Sequence, residues 1–322
     1  MRFFDRKNFE NGVFFLNCQG TALLVQPLFF DRRGVLINGM KKKNVTKLLL
    51  FIFMCIASYL TVFPIIWVMI QSLKTQNEFM ANIWSLPRSF NLNAYRFMLF
   101  GRHNLARNFM NSINTMFFST LYNTVLITMA GYAFAKLRFR FKPFFFYFIV
   151  INLIISEPVL LLPTLIRVYR MGILNTLPAL VLPYFVSFAP IGLIMCRSYM
   201  IGIPDSITES AKVDGCGPVN TFFKIILPMS RSIIAALVVL SSMSAWNEFY
   251  FAFVSLTRTR FFTMQVRIAS IVYMGGSIGH VSLFAAITMS ALVIIVIFLA
   301  LQRYFVGHIL MEDSIQYSDY KD

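Results

Sequence analysis

The chain is poor in acid, cysteine, histidine and charge in general. Only 13 of its 322 residues are Asp or Glu, four are Cys and three are His, and charged residues make up 13 %. Ordinary soluble domains carry about 25 % charged residues. Cys18, Cys55, Cys196 and Cys216 are scattered without C-x-x-C spacing, and His103, His280 and His308 stand alone. A metal centre needs clustered ligands, and a disulfide framework needs close spacings, so neither is expected. The phosphate-cradling pattern G-x-x-x-x-G-K-[ST] is missing, as are G-x-S-x-G and H-E-x-x-H, which removes the usual sequence marks of an ATPase, a hydrolase or a metalloprotease. This chain is not expected to be a catalyst and is expected to carry no cofactor.

What is abundant is apolar surface. Hydrophobic residues make up 58 % of the chain, and apolar runs of about 20 residues can cross a hydrocarbon core of roughly 30 Å as helices. Six such runs are read at 48–70, 113–135, 144–165, 177–196, 232–255 and 281–301. The second is diluted by Asn114, Thr115, Thr120, Asn123, Thr124 and Thr128. Period-2 alternation, the mark of a membrane barrel, is lacking. The expected fold is therefore all-α, a polytopic membrane helical bundle of about six transmembrane helices.

Short basic loops set the expected orientation. Lys41, Lys42, Lys43 and Lys47 precede the first run, and Lys136, Arg138, Arg140 and Lys142 crowd the second connection. Both belong in the cytoplasm by the excess of Lys and Arg there, which also puts both chain ends inside. Lys74, Arg88, Arg96, Arg102 and Arg107 lie on the long outer connection, where charge counts less toward topology. The net charge of +16 fits anchoring near anionic lipid, and no nucleic-acid partner is expected.

Residues 1–39 hold no persistent helical stripe and make a poor signal peptide. We expect them to be an N-terminal extension, with Met40 the natural start or the extension dispensable. The transmembrane domain is read over 40–310. Residues 311–322 form a tail whose Asp319-Tyr320-Lys321-Asp322 resembles the start of an acidic epitope tag. On the outer connection, residues 91–100 (NLNAYRFMLF) read as a short amphipathic helix, either a packed element or a contact for an external protein.

The only long polar segment able to form two short helices spans 203–228, IPDSITESAKVDGCGPVNTFFKIILP. Pro204 and Asp205 suit a helix start, and Ser206-x-x-Glu209 has capping-box spacing. Gly215 and Gly217 supply a turn, and Pro218 opens a second helix. There Val219, Phe222, Phe223 and Ile226 fall at i, i+3, i+4 and i+7, one apolar stripe, before Pro228 ends it. A helix–turn–helix elbow at the cytoplasmic membrane surface is expected.

This segment resembles the EAA loop of ABC importer permeases. The matching residues are Glu209-Ser210-Ala211, Asp214-Gly215 and Ile225-Ile226-Leu227-Pro228, with Ser210 where Ala is usual. The resemblance extends over roughly 47–307 and is to the carbohydrate-import branch, similar to maltose-type inner-membrane subunits. Further matching stretches are Asn111-Ser112, Gly131-Tyr132-Ala133-Phe134-Ala135, Asn175-Thr176, Trp246-Asn247-Glu248 and Gln302-Arg303-Tyr304-Phe305-Val306.

The resemblance implies a bacterial inner-membrane subunit that pairs with a second permease. It also implies two ATPase chains that hold ATP and Mg, an extracytoplasmic solute-binding protein, and a sugar or oligosaccharide as cargo. Glu209, Ser210, Ala211, Asp214 and Gly215 would couple to the ATPases. Asn152, Glu157, Trp246, Asn247 and Glu248 are candidates for the translocation path. Glu157, read as mid-helix in SEPVLLLP, is costly at membrane depth unless it faces the bundle interior or a water-filled path. Trp246 through Tyr250 suit sugar rings and interface belts alike. Arg167, Arg170, Arg258, Arg260 and Arg267 leave open an acidic saccharide or glycerol phosphate. An ion-coupled secondary carrier is the alternative class; it would need no docking elbow and should show paired interrupted helices.

Overall fold

The computed structural model describes residues 13–16, 22–25, 37–101, 104–273 and 278–318, with side chains over 47–101, 104–273 and 278–300. His103, the side chains of the 302–306 stretch and the 319–322 tail lie outside the described residues. The chain divides into two compact units, Met1–Val62 and Phe63–Asp322.

In the first unit, β1 (Val13–Leu16) pairs with β2 (Ala22–Val25) as an antiparallel ribbon with Val13 opposite Val25. This ribbon was not expected from the pattern of 1–39; the other elements among the described residues are helical. Helix α1 (Ile37–Gln71) starts here. Its residues 48–62 are exposed except for the half-buried Ala57, the surface a lipid-facing helix presents.

The second unit is built around α4 (Leu105–Lys136), a helix of 32 residues flanked by α7 (Leu177–Ile201) and α11 (Arg231–Asn247). Of the polar residues that dilute the expected second span, Thr115, Thr120, Asn123 and Thr128 are turned inward, Thr124 is half-buried and Asn114 is exposed. Asn108, Ser112, Thr115, Ser119, Thr120, Asn123 and Thr128 are buried, while Phe117, Phe118, Leu121, Tyr122 and Val125 face out. Asn123 Nδ2 donates to Ser241 Oγ at 2.7 Å, and the Thr120 and Ser242 hydroxyls pair at 3.2 Å. A polar seam of this kind holds membrane helices together where burial of apolar surface gives no advantage. On its other side α4 meets α7 through small residues. A Cβ built on Gly131 would lie 2.5 Å from Cys196 Sγ, and one on Gly192 would lie 2.8 Å from Ile127 Cδ1.

Length and apolarity mark three single helices as able to cross a membrane, among the described residues: Lys47–Gln71, Leu177–Ile201 and His280–Ala300. The last is the first part of α14 (His280–Ser318). Two bent pairs raise the number to five, and α4, long but polar, occupies the place of the expected second span. Two of the expected spans are corrected in shape. The third, read as straight over 144–165, is α5 (Lys142–Val150), a 3₁₀ turn Ile151–Leu153, and α6 (Glu157–Arg170), bent by 107°. Ser156 is extended (ψ 140°) and Pro158 lies in the first turn of α6, where its missing N–H cannot continue the preceding helix. The fifth, read over 232–255, stops at Asn247. Glu248 is extended (ψ 125°), and α12 (Tyr250–Ser255) starts afresh.

Pro163 lies inside α6, and Pro183 and Pro190 lie inside α7. The outer helix expected over 91–100 is α3 (Asn93–Phe100). It is a packed element: Met98 is fully buried with Leu105, Met264 of α13 (Met264–Tyr273), Ile271 and Ala286. The Tyr95 hydroxyl shares a 2.6 Å hydrogen bond with Ser72.

Candidate functional site

The elbow starts where α7 ends. Helix α8 (Asp205–Val213) has Pro204 as its N-cap, a residue with no side-chain oxygen, so the expected Ser206–Glu209 capping box does not form. Ser206 lies inside the first turn, and the Asp205 carboxylate is occupied elsewhere: it accepts from Lys136 Nζ at 2.7 Å. The hydrogen bond and positive charge of Lys136 hold the Asp205 carboxyl below its usual range.

The turn after α8 is a Schellman motif. Gly215 N–H donates to Lys212 O at 3.0 Å and Cys216 N–H to Ala211 O at 2.9 Å, the two bonds that satisfy carbonyls at a helix end. Gly215 has φ +78°, a left-handed conformation that is cheap only without a side chain. Gly217 has φ −68°, so the second glycine is not required by backbone angle.

The second arm is α9 (Pro218–Thr221), a π-turn over Phe222–Ile226, and α10 (Leu227–Met229). The apolar stripe expected along it is split. Phe222 and Ile226 are buried in the core with Ile203, Met200 and Tyr132, whereas Val219 and Phe223 are 67 % and 53 % exposed. The π-turn, closed by Leu227 N–H to Phe222 O, slows the winding. Residues four apart therefore stay in line, and the two pairs face opposite ways. Val213, at 88 % exposure, adds to the outward set. The chain bends by 80° between Pro218–Met229 and α11.

Of the five residues expected to couple, Glu209, Ser210, Asp214 and Gly215 are exposed on the elbow, and Ala211 is buried. Ala211 therefore faces the body of the protein. Three residues outside the elbow hold it in place: Lys136 and Tyr132, read in the sequence only for topology and resemblance, and Tyr199, which carried no signal. Lys136, in the last turn of α4, donates to Ile203 O as well as to Asp205. The Tyr132 hydroxyl donates to Pro218 O at 3.2 Å, and that of Tyr199 to Met229 O at 3.1 Å. The Gly131–Ala135 stretch was the available signal.

The expected path residues do not form one site, and none hydrogen-bonds another. Asn152 Nδ2 turns back to Phe148 O and Ile149 O, both at 3.1 Å. Glu157 is the exposed first residue of α6, not a mid-helix carboxylate. Trp246 is buried edge-to-face against Phe109, with centroids 5.9 Å apart, which suits neither a belt nor a path. Asn247 is exposed. Glu248 caps α12: Oε1 accepts from Phe251 N–H at 2.6 Å, Oε2 accepts from Ala252 N–H at 3.2 Å, and the Tyr184 hydroxyl also donates to Oε2. A carboxylate holding the N–H groups of a broken span satisfies backbone that lipid cannot.

At the opposite end of α4, Asn108 Nδ2 donates to Thr259 O at 2.9 Å and Phe262 O at 2.8 Å. Asn111 Nδ2 donates to Arg260 O at 2.9 Å and Phe262 O at 3.1 Å, and Ser112 Oγ accepts from Met264 N–H at 2.7 Å. Asn175, with φ +60°, accepts from Thr257 N–H at 2.8 Å and Arg258 N–H at 3.3 Å. Arg258 and Arg260 thus sit on a turn pinned at the end remote from the elbow. No group of three His, Cys, Asp or Glu among the described residues could hold a metal.

A bundle of apolar and broken helices carrying an elbow with an exposed apolar rim defines a membrane permease component. The chain belongs to the family of binding-protein-dependent transport system inner membrane components, which matches residues 127–310. It is 30 % identical over 262 residues to the probable ABC transporter permease protein YurM of Bacillus subtilis, covering 80 % of this chain and 83 % of that one. It is 29 % identical over 273 residues to the arabinooligosaccharides transport system permease protein AraQ of Halalkalibacterium halodurans, covering 83 % and 97 %. The fold is also that of a chain in the crystal structure of a bacterial ABC transporter involved in the import of the acidic polysaccharide alginate. The TM-score there is 0.71 at 20 % identity, over 86 % of this chain and 99 % of that one. The chain is thus a membrane-spanning ABC importer permease subunit, a transport component and not an ion-coupled carrier.

Proposed function

We propose that this permease subunit moves a sugar or oligosaccharide, delivered by an extracytoplasmic binding protein, through a path shared with a second permease. Two separate ATPase chains, holding ATP and Mg, dock on the elbow from the cytoplasm, and both chain ends lie on that side. The observation that carries the reading is the outward set Val213, Val219 and Phe223, together with the exposed acids Glu209 and Asp214, on an elbow whose Ala211, Phe222 and Ile226 are buried. An exposed apolar patch with a polar rim is the form of a protein-binding surface. Glu209, Ser210, Asp214 and Gly215 form or shape that surface, and Ala211 seats it. Closure of the ATPases on ATP displaces the elbow, and rigid-body rotation of the bundle switches the path.

Purification through this chain in mild detergent, followed by mass spectrometry, tests the assembly. The ATPases, a second permease and a sugar-binding protein should co-purify, and vesicle uptake should require ATP hydrolysis. Uptake that an ionophore alone collapses would defeat the reading. For orientation, Arg140→Cys and Lys212→Cys on a cysteine-free background should label only from the cytoplasm and Phe90→Cys only from outside. Labelling of Lys212→Cys from outside would invert the topology.

An acidic saccharide is the favoured variant of the cargo. Arg258 and Arg260 lie on the pinned turn, and Arg167 and Arg170 close the last turn of α6. Positive potential at an outer mouth raises the local concentration of anions. Replacing these four and Arg267 by Gln should slow uptake of an acidic oligosaccharide about tenfold and leave a neutral one unchanged. Equal rates for both cargoes before and after substitution would remove the acidic preference.

A further inference from the structure

Helix α4 is held at both ends by side-chain hydrogen bonds, and its ends meet the two regions that transport must connect. At its C-terminal end, Lys136 grips the first arm of the elbow through Ile203 O and Asp205. One turn earlier Tyr132 grips the second arm through Pro218 O. At its N-terminal end, Asn108, Asn111 and Ser112 grip the turn 259–264 by five hydrogen bonds of 2.7 to 3.1 Å. Between these ends run 32 helical residues without an internal proline, a rod of about 48 Å at 1.5 Å per residue. Its neighbours are less suited to carry a displacement. Helix α7 contains Pro183 and Pro190, and the fifth span breaks at Glu248.

We propose that Lys136 is a positioning residue for coupled transport. It clamps the elbow to the foot of α4, so that movement of the elbow turns α4 as a rod and carries the 259–264 turn with it. The inference rests on the elbow being the ATPase dock. The Lys136 side chain is 5 % exposed and that of Asp205 is 78 % exposed. The buried partner is therefore held by the protein and the exposed one moves with the elbow. Burial of the lysine stem also means that the ammonium cannot swing to another acceptor without leaving Ile203 O uncompensated.

The test uses the complete complex in vesicles with its ATPases and binding protein, and reads the ratio of stimulated to basal ATP hydrolysis together with uptake. Lys136→Met keeps the stem and removes the ammonium. The stimulated ratio and uptake should each fall on the order of tenfold, the size of an ordinary coupling energy between sites. Lys136→Arg should restore most of both, because it retains the charge and the donors. Asp205→Lys, an exposed change that spares the fold, should repel Lys136 and lower the ratio to a similar degree. Wild-type stimulation in Lys136→Met, or in Asp205→Lys if the first variant does not assemble, overturns the proposal. If elbow variants abolish stimulation while these two do not, only the clamp is wrong. If the wild-type complex shows no ATP-dependent uptake, the docking reading itself is wrong and the clamp falls with it.

Discussion

Gly215→Val abolishes coupled transport while the permease still inserts and pairs: that is the expected outcome at the elbow. Gly215 has φ +78°, and a Cβ added there would meet nothing within 4 Å. The penalty is therefore backbone strain alone, about 1–2 kcal/mol for an ordinary residue in the left-handed region and more for a β-branched one. The chain escapes the strain by giving up the two bonds that close α8, Gly215 N–H to Lys212 O and Cys216 N–H to Ala211 O. That reorients α8 against α9 and scatters Val213, Val219 and Phe223.

A graded series separates this cause from mere bulk. Gly215→Asn should retain most of the stimulation, because Asn tolerates the left-handed region, while Gly215→Ala should fall between Asn and Val. Glu209→Lys approaches the same surface by charge. It forms no capping box, so reversing its charge alters the docking face and leaves the elbow's shape intact. Both Gly215→Val and Glu209→Lys should lose the ATPases on purification, or keep them without hydrolysis stimulated by loaded binding protein. Normal stimulation and uptake in both would show that the elbow is not the coupling element.

Gly131→Val should cost the most stability of any single change considered. A Cβ at Gly131 would stand 2.5 Å from Cys196 Sγ, 2.9 Å from its Cβ and 3.4 Å from its carbonyl carbon. None of these is the end of a flexible side chain, since Cys196 is fully buried on α7. Relief requires α4 and α7 to separate along the interface that also seats Ile127, Phe188 and Met200. Overpacking a filled interior costs about 1–3 kcal/mol, a fall in melting temperature on the order of 5 °C for the purified complex. Cys196→Gly should recover part of the loss by emptying the space the new side chain needs. A melting temperature unchanged in Gly131→Val would mean that the two helices do not pack this closely.

Much of the architecture was legible because membrane crossing is a demand on composition: four of the six apolar runs fall on single helices and two on helices broken by an extended residue. The positive φ at Gly215 was legible too, since a glycine between two helix signals points to a turn that only glycine makes cheaply. The misreadings share a cause. Capping-box spacing at Ser206 and Glu209 is a local pattern, but the helix starts at Asp205 as its entry residues suggest, so Ser206 lies inside the first turn and cannot cap, and the Asp205 carboxylate is taken by the distant Lys136. The stripe on the second arm assumed a winding of 3.6 residues, and the π-turn over Phe222–Ile226 reset the phase. Glu248 was a path candidate by resemblance, and what spacing along the chain could not show is that its carboxylate accepts from two backbone N–H groups and the Tyr184 hydroxyl.

What the sequence determined by itself is the solvent of the protein, the helical class and the place of the elbow. These follow from runs of residues near one another in the chain, where length, hydropathy and turn chemistry act locally. The tertiary structure alone decided which polar groups of α4 are buried and where the spans break. It also decided which faces of the elbow look outward and that Lys136, 69 residues before Asp205, holds it. Those outcomes depend on partners brought together only by packing. A buried amide, carboxylate or ammonium takes the best hydrogen bond within reach, and spacing along the chain does not reveal what will be within reach.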